Sequence, residues 1–125
     1  MEIMGVDSTV ESGTVYFDGI VGMAAETFGG ADLLIDELYD EGHIDERVFS
    51  VYYTTETNDN HIYFGGYSEE HKEEEFEYIS LKSGSSHWTI SASEATYGGD
   101  TFASDLTSGI LDTGTSLMYL PMGVY

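Results

Sequence analysis

The chain has 125 residues, 41% of them apolar, with 24 acids against three Lys or Arg, a formal net charge of −21. That length fits one domain or less with a modest core, the charge argues against nucleic acid or an anionic membrane as partner, and no apolar run approaches the ~20 residues that span a bilayer. There is no cysteine, which excludes disulfides, thiolate nucleophiles and cysteine-based metal sites.

At the N-terminus, Met1-Glu2-Ile3-Met4-Gly5 has neither a basic region nor a long apolar core, so no signal peptide is expected in this chain. Asp7, Thr9, Glu11 and Gly13 loosely match a calcium loop, but the glycine falls one residue late and no glutamate closes it. Thr14 to Met23 reads as extended, Val15 and Phe17 alternating with polar neighbours before Ile20-Val21. Gly19 and Gly22 bracket that apolar pair, a pattern that goes with close approach of another backbone. Residues 32–41 form the one clear helix. Leu34, Ile35, Leu38 and Tyr39 share a face, Asp32 is placed to cap the start, and Gly42 falls just past the end.

Val48 to Tyr53 is rich in β-formers, Thr57 to Asn60 is a turn cluster, and His61 to Phe64 completes a hairpin that Gly65-Gly66 ends. The acidic stretch from Ser68 to Glu77 reads as either a short acidic helix or a solvated loop. Phe76 to Leu81 reads as a further strand, and Ser83-Gly84-Ser85-Ser86 as a turn. Trp88, Ile90 and Ala92 alternate with Thr89, Ser91 and Ser93, which predicts a strand with the first three inward. Tyr97-Gly98-Gly99-Asp100 is a tight hairpin turn. His43, His61, His71 and His87 are scattered and lack the spacing of a zinc site; they read as surface residues, and neither a metal nor a cofactor is expected. The sum is a mostly β fold of antiparallel strands with one helix at about 32–41.

The stretch with the most chemistry is Ser108-Gly109-Ile110-Leu111-Asp112-Thr113-Gly114-Thr115-Ser116-Leu117. An apolar approach ends in one carboxylate, followed by three hydroxyls and a glycine. Asp-Thr-Gly alone is also what an ordinary turn contains. The flanking Ile110-Leu111 and Leu117-Met118 predict a loop buried on both sides, with the acid at the end of a buried strand and short donors around it.

This stretch resembles the second-lobe active-site signature of pepsin-like aspartic proteases, Asp-Thr-Gly-Thr-Ser. Phe17-Asp18-Gly19-Ile20-Val21-Gly22-Met23-Ala24 is similar to a first-lobe segment of that family. Leu38 to Gly42, Val48 to Tyr52, Phe64 to Tyr67 and His87 to Ile90 follow in the family's order. The resemblance runs from about Val6 to Pro121. It implies a partial pepsin-like bilobal fold, with residues 1–50 closing the first lobe and 51–125 opening the second. It implies a peptidase that uses two carboxyls and an activated water, acting on polypeptide, in a secreted or acidic vacuolar or lysosomal compartment. Secreted members usually carry a small disulfide loop just before this Asp-Thr-Gly. Phe102 to Ser108 has no cysteine, so the compartment stays open.

Carried over by residue, Asp112 is the second catalytic carboxylate, and Thr113 bonds across to the other lobe. Gly114 and Thr115 face substrate, with Thr115 alternatively bonding the outer carboxylate oxygen. Ser116 supports the loop, and Ile20, Val21 and Gly22 pack beneath the first lobe's catalytic loop. A second Asp-Thr-Gly and the flap that closes over substrate are absent from this sequence. The chain is therefore expected to be the middle piece of a larger enzyme, inactive alone, with the rest of the parent chain as partner. A lone Asp lacks the like charge that splits a dyad, so its pKa is expected near the reference value. The alternative is a non-catalytic all-β binding module on the same scaffold.

Overall fold

A computed structural model describes residues 19–27, 30–55 and 59–122. The segment Met1 to Gly5, the calcium-like Asp7 to Gly13, the first part of the extended segment at 14–18, and Thr57-Asn58 of the predicted turn lie outside the described residues. The described part is mostly β. It comprises helix α1 (Leu34–Asp40), strands β1 (Phe49–Tyr52) and β2 (His61–Phe64), a 3-10 turn at Glu69–His71, and strands β3 (Thr89–Ile90), β4 (Glu94–Tyr97), β5 (Asp100–Ser104) and β6 (Gly109–Ile110). The strands pair as three two-stranded antiparallel sheets, β1-β2, β3-β6 and β4-β5. Two compact units are present. One holds the described residues of Met1–Met23 and Thr27–Phe76, the other Ala24–Glu26 and the described residues of Glu77–Tyr125.

In the first unit the helix is shorter than the predicted 32–41. Its N-cap is Leu33, not Asp32, and no side chain caps it. The C-terminus follows the sequence closely. Gly42 takes φ 76°, its N–H donates to Tyr39 O (3.0 Å), and the His43 N–H donates to Leu38 O (2.8 Å). These two bonds form a Schellman closure, which glycine adopts without steric cost. Seven residues are too few for a helix to persist on propensity alone. Arg47 adds a clasp from outside: its guanidinium meets Asp40 at 2.8 Å and Asp36 at 3.3 Å, and lies 4.4 Å over the Tyr39 ring.

Strands β1 and β2 pair with Phe49 opposite Phe64 and Tyr52 opposite His61. Just past β2, Gly65 has φ 79° and donates to Val48 O (2.7 Å). A Cβ there would sit 2.8 Å from Ile44 Cβ, so only glycine fits. The acidic stretch after it is irregular apart from its 3-10 turn, as a loop should be. It is fastened to the hairpin by aromatic contacts: Tyr52 stacks on His71 at 4.0 Å, and Tyr67 meets Phe76 edge-on at 4.8 Å.

The second unit departs more from expectation. Phe76 to Leu81 is not a strand. Only Leu81 bridges, to Ile90, because its apolar residues find no continuous partner strand among the described residues. The strand predicted at 88–93 shrinks to Thr89–Ile90, and its phase is not the predicted one. Thr89 is buried, since its hydroxyl is bonded to Ser85 Oγ at 2.8 Å, while Trp88, Ile90 and Ala92 are only half-buried. The hairpin β4-β5 turns on Gly98 (φ 61°) and Gly99 (φ 92°), the two left-handed positions of a type I′ turn. A register shift between Ala95 and Thr96 leaves Phe102 as the extra residue of a bulge. Ala103, 3% exposed, is the sole buried apolar residue among those described.

Candidate active-site carboxylate

Strand β6 delivers Asp112. Thr89 pairs with Ile110 and Ile90 with Gly109, and the Leu111 N–H donates to Trp88 O at 3.0 Å. The ladder therefore ends one residue before the acid. The chain then turns, with the Thr115 N–H directed back to Asp112 O at 3.4 Å. Inside this turn the carboxylate is held at both oxygens. The Gly114 N–H donates to Oδ1 at 2.9 Å, and the Thr115 hydroxyl donates to Oδ2 at 2.5 Å. The second is short, as hydroxyl-to-carboxylate bonds are when the acceptor is charged. A Cβ on Gly114 would stand 3.3 Å from Oδ1, so the glycine lets its own N–H approach the acid closely.

These bonds stabilise the ionised form. The Asp112 pKa lies below its ordinary 3.8: the Thr115 hydroxyl is the main cause and the Gly114 N–H the next, with His87 adding a small electrostatic pull in the same direction against a slight opposing desolvation. The expectation of a pKa near the reference is thus corrected, because the loop's own donors act even without a second carboxylate. A carboxylate in this state is ionised at neutral pH and is a weak base. By itself it cannot be both proton donor and acceptor.

The loop's apolar flanks are not buried as predicted. Ile110 is 58% exposed, Leu111 64%, Leu117 71% and Met118 73%, and Asp112 itself is exposed. The physical reason is that no described element packs over them. Asp112, Gly114 and Thr115 are brought together. The hydroxyls of Thr113 and Ser116 lie on the exposed turn and find no hydrogen-bond partner among the described residues. Ile20 and Val21 belong to the other compact unit and are 74% and 68% exposed, with Gly22 exposed beside them.

The histidines are not all scattered. Within the first unit, Asp59, His61 and His71 place three ligand-type atoms within 4.8 Å of one another. The spacing of the histidines along the chain hid this, because the β1-β2 hairpin and the 3-10 turn fold them together. The only signal in the sequence was the hairpin itself.

The sequence profile described as eukaryotic aspartyl protease matches residues 3–125. The chain is similar to vacuolar protease A of Arthroderma otae, 33% identical over 124 residues, covering 92% of this chain and 31% of the relative. It is similar to renin-2 of Mus musculus, 32% identical over 110 residues, 84% of this chain and 27% of the relative. Pepsin A of Bos taurus is 30% identical over 127 residues, 96% of this chain and 34% of the relative. The chain spans about a third of the length of these curated relatives.

Proposed function

The chain belongs to the eukaryotic aspartyl protease family, and on that premise we propose that it contributes one of the two carboxylates of an aspartic endopeptidase, Asp112. Residues 1–50 close the first lobe of the parent enzyme and 51–125 open the second. The dyad partner of Asp112 comes from the rest of that parent. Like charges held together cannot both ionise, so the pair shares one proton and brackets a water. The ionised carboxylate takes a proton from the water as it attacks the peptide carbonyl, and the protonated one donates to the carbonyl oxygen. No covalent intermediate forms.

The supporting observation is the two-sided grip on Asp112, with Gly114 N–H on Oδ1 and Thr115 Oγ1 on Oδ2. Such a grip fixes the plane of a reacting carboxylate before substrate arrives, and preorganised geometry is where much of the rate comes from. The Thr115 bond to Oδ2 supports a role for that hydroxyl on the carboxylate, with Gly114 as the residue whose bare backbone admits a substrate chain. Thr113 reaches across to the other lobe, Ser116 steadies the loop, and Ile20-Val21-Gly22 support the first lobe's catalytic turn. The substrate is polypeptide, and the parent enzyme is secreted or held in an acidic vacuolar or lysosomal compartment. No described helix is long and apolar enough to cross a membrane.

The test has two arms. The purified 125-residue chain should not cleave an acid-denatured protein. The same chain completed by both the upstream and the downstream sequence of its parent should cleave it in a pepstatin-sensitive manner, and Asp112→Asn should abolish that. Cleavage by the purified chain that survives Asp112→Asn would overturn the reading. A parent whose upstream Asp-Thr-Gly is substituted and which stays inactive would make the chain part of a binding module.

A further inference from the structure

We propose that Asp59, His61 and His71 form a site for a zinc-type transition-metal dication that clips the 3-10 turn onto the β1-β2 hairpin. The three side chains come from separate places: the turn before β2, the first residue of β2, and the end of the 3-10 turn at Glu69–His71. Their ligand atoms lie within 4.8 Å of one another. Donors bound to a tetrahedral zinc sit about 3.3 Å apart, given bonds of ~2.0–2.1 Å. His61 Nε2 and Asp59 Oδ1 are already at 3.0 Å. Modest side-chain rotation brings in the third.

His71 is fixed on both sides by groups that a metal site uses as outer supports. Its Nδ1 is bonded to the Tyr63 hydroxyl at 2.9 Å, and its ring stacks on Tyr52 at 4.0 Å with 8° between planes. A hydrogen bond on Nδ1 orients the ring and leaves Nε2 as the ligand atom. The His61 ring lies nearly parallel, centroids 5.3 Å apart. Two imidazoles and one carboxylate, with room for water as the fourth ligand, select zinc, cobalt, nickel or copper over calcium and magnesium, which want oxygen. The cation would take the place of the hydrogen bond between His61 Nε2 and Asp59 Oδ1. The site rests on the first compact unit and does not depend on the role of Asp112.

The experiment is calorimetric titration of the whole 125-residue chain with zinc chloride, in excess magnesium and moderate salt so that the many surface carboxylates are occupied. The expected result is one saturable equivalent. His61→Gln and His71→Gln should weaken it by more than the about tenfold expected for an outer-shell change, Asp59→Asn by less, and Tyr63→Phe, a positioning change, by about tenfold. Circular dichroism of each variant separates loss of ligand from loss of fold, and cobalt should give a tetrahedral absorption band in the parent chain that His61→Gln removes. Absence of saturable zinc binding overturns the site. So does a His43→Gln or His87→Gln variant that weakens binding as much as His61→Gln.

Discussion

The hairpin unit and the Asp112 loop solve the same problem in opposite ways. Around the hairpin, the side chains find partners within a few tens of residues: Tyr52 on His71, Tyr67 on Phe76, and Lys72 4–5 residues along, bonded to Glu75 and facing both of those rings. Around Asp112, only the polar part is satisfied locally. The acid has Gly114 and Thr115, yet Ile110, Leu111, Leu117 and Met118 are all exposed. Hydrogen bonds are short-range and can be completed inside a turn, whereas apolar cover needs area from another layer. The difference teaches that the carboxylate's geometry is written into its own loop, while the loop's apolar flanks find no cover among the described residues.

The sharpest test of that contrast is chemical. In a chain completed by its parent's upstream and downstream sequence, Asp112→Asn should lower kcat by about 10²–10⁴-fold or more, the span of general acid-base catalysis, with KM changed far less. Steady-state turnover of a peptide substrate measures it. If the loop were an ordinary turn, the substitution would leave turnover intact.

Next in size is Gly65→Ala, aimed at the self-sufficient side of the comparison. A methyl there meets Ile44 at 2.8 Å and the backbone stands at φ 79°. Steric overlap plus left-handed strain should cost about 2–4 kcal/mol in urea unfolding. The same change at Gly114, with 3.3 Å to Oδ1, should cost less stability and act mainly by crowding the carboxylate.

Legibility follows the same divide. The β1-β2 hairpin, the glycine stop at Gly42, the Gly98-Gly99 turn and the Asp112 turn were readable, because each is decided by neighbours in sequence. The strand predicted at 76–81 was not there, since a strand needs a partner and the pattern of Phe76, Tyr78, Ile79 and Leu81 names none. Thr89 reversed the inward phase because a hydroxyl pair with Ser85 outweighed the alternation. The Asp59-His61-His71 cluster was invisible because its histidines lie ten residues apart in the chain, one on β2 and one on the 3-10 turn beyond it.

A smaller effect isolates the local grip. Asp112 is held below its ordinary pKa chiefly by the Thr115 hydroxyl. A depressed carboxylate contributes stability that is present above its unfolded value, near 3.8, and is lost as pH falls through the lower folded value. Thr115→Val should therefore raise the Asp112 titration midpoint toward 3.8, followed by carboxyl carbon NMR. A midpoint that does not move would assign the grip to Gly114 alone.

The smallest expected effect tests the other half of the contrast. Leu117 and Met118 are largely exposed, so in the 125-residue chain Leu117→Ser and Met118→Ser remove little buried area. Each should change unfolding free energy by no more than about 0.5 kcal/mol, as surface substitutions do. In the extended parent the same pair should cost more, roughly 1.5–3 kcal/mol for each side chain that becomes fully buried. The gap between the two measurements is the burial that the rest of the parent supplies. Equal costs in both settings would mean that the apolar flanks of Asp112 face solvent in the whole enzyme as well, and that the carboxylate's grip by Gly114 and Thr115 is all the shelter it has.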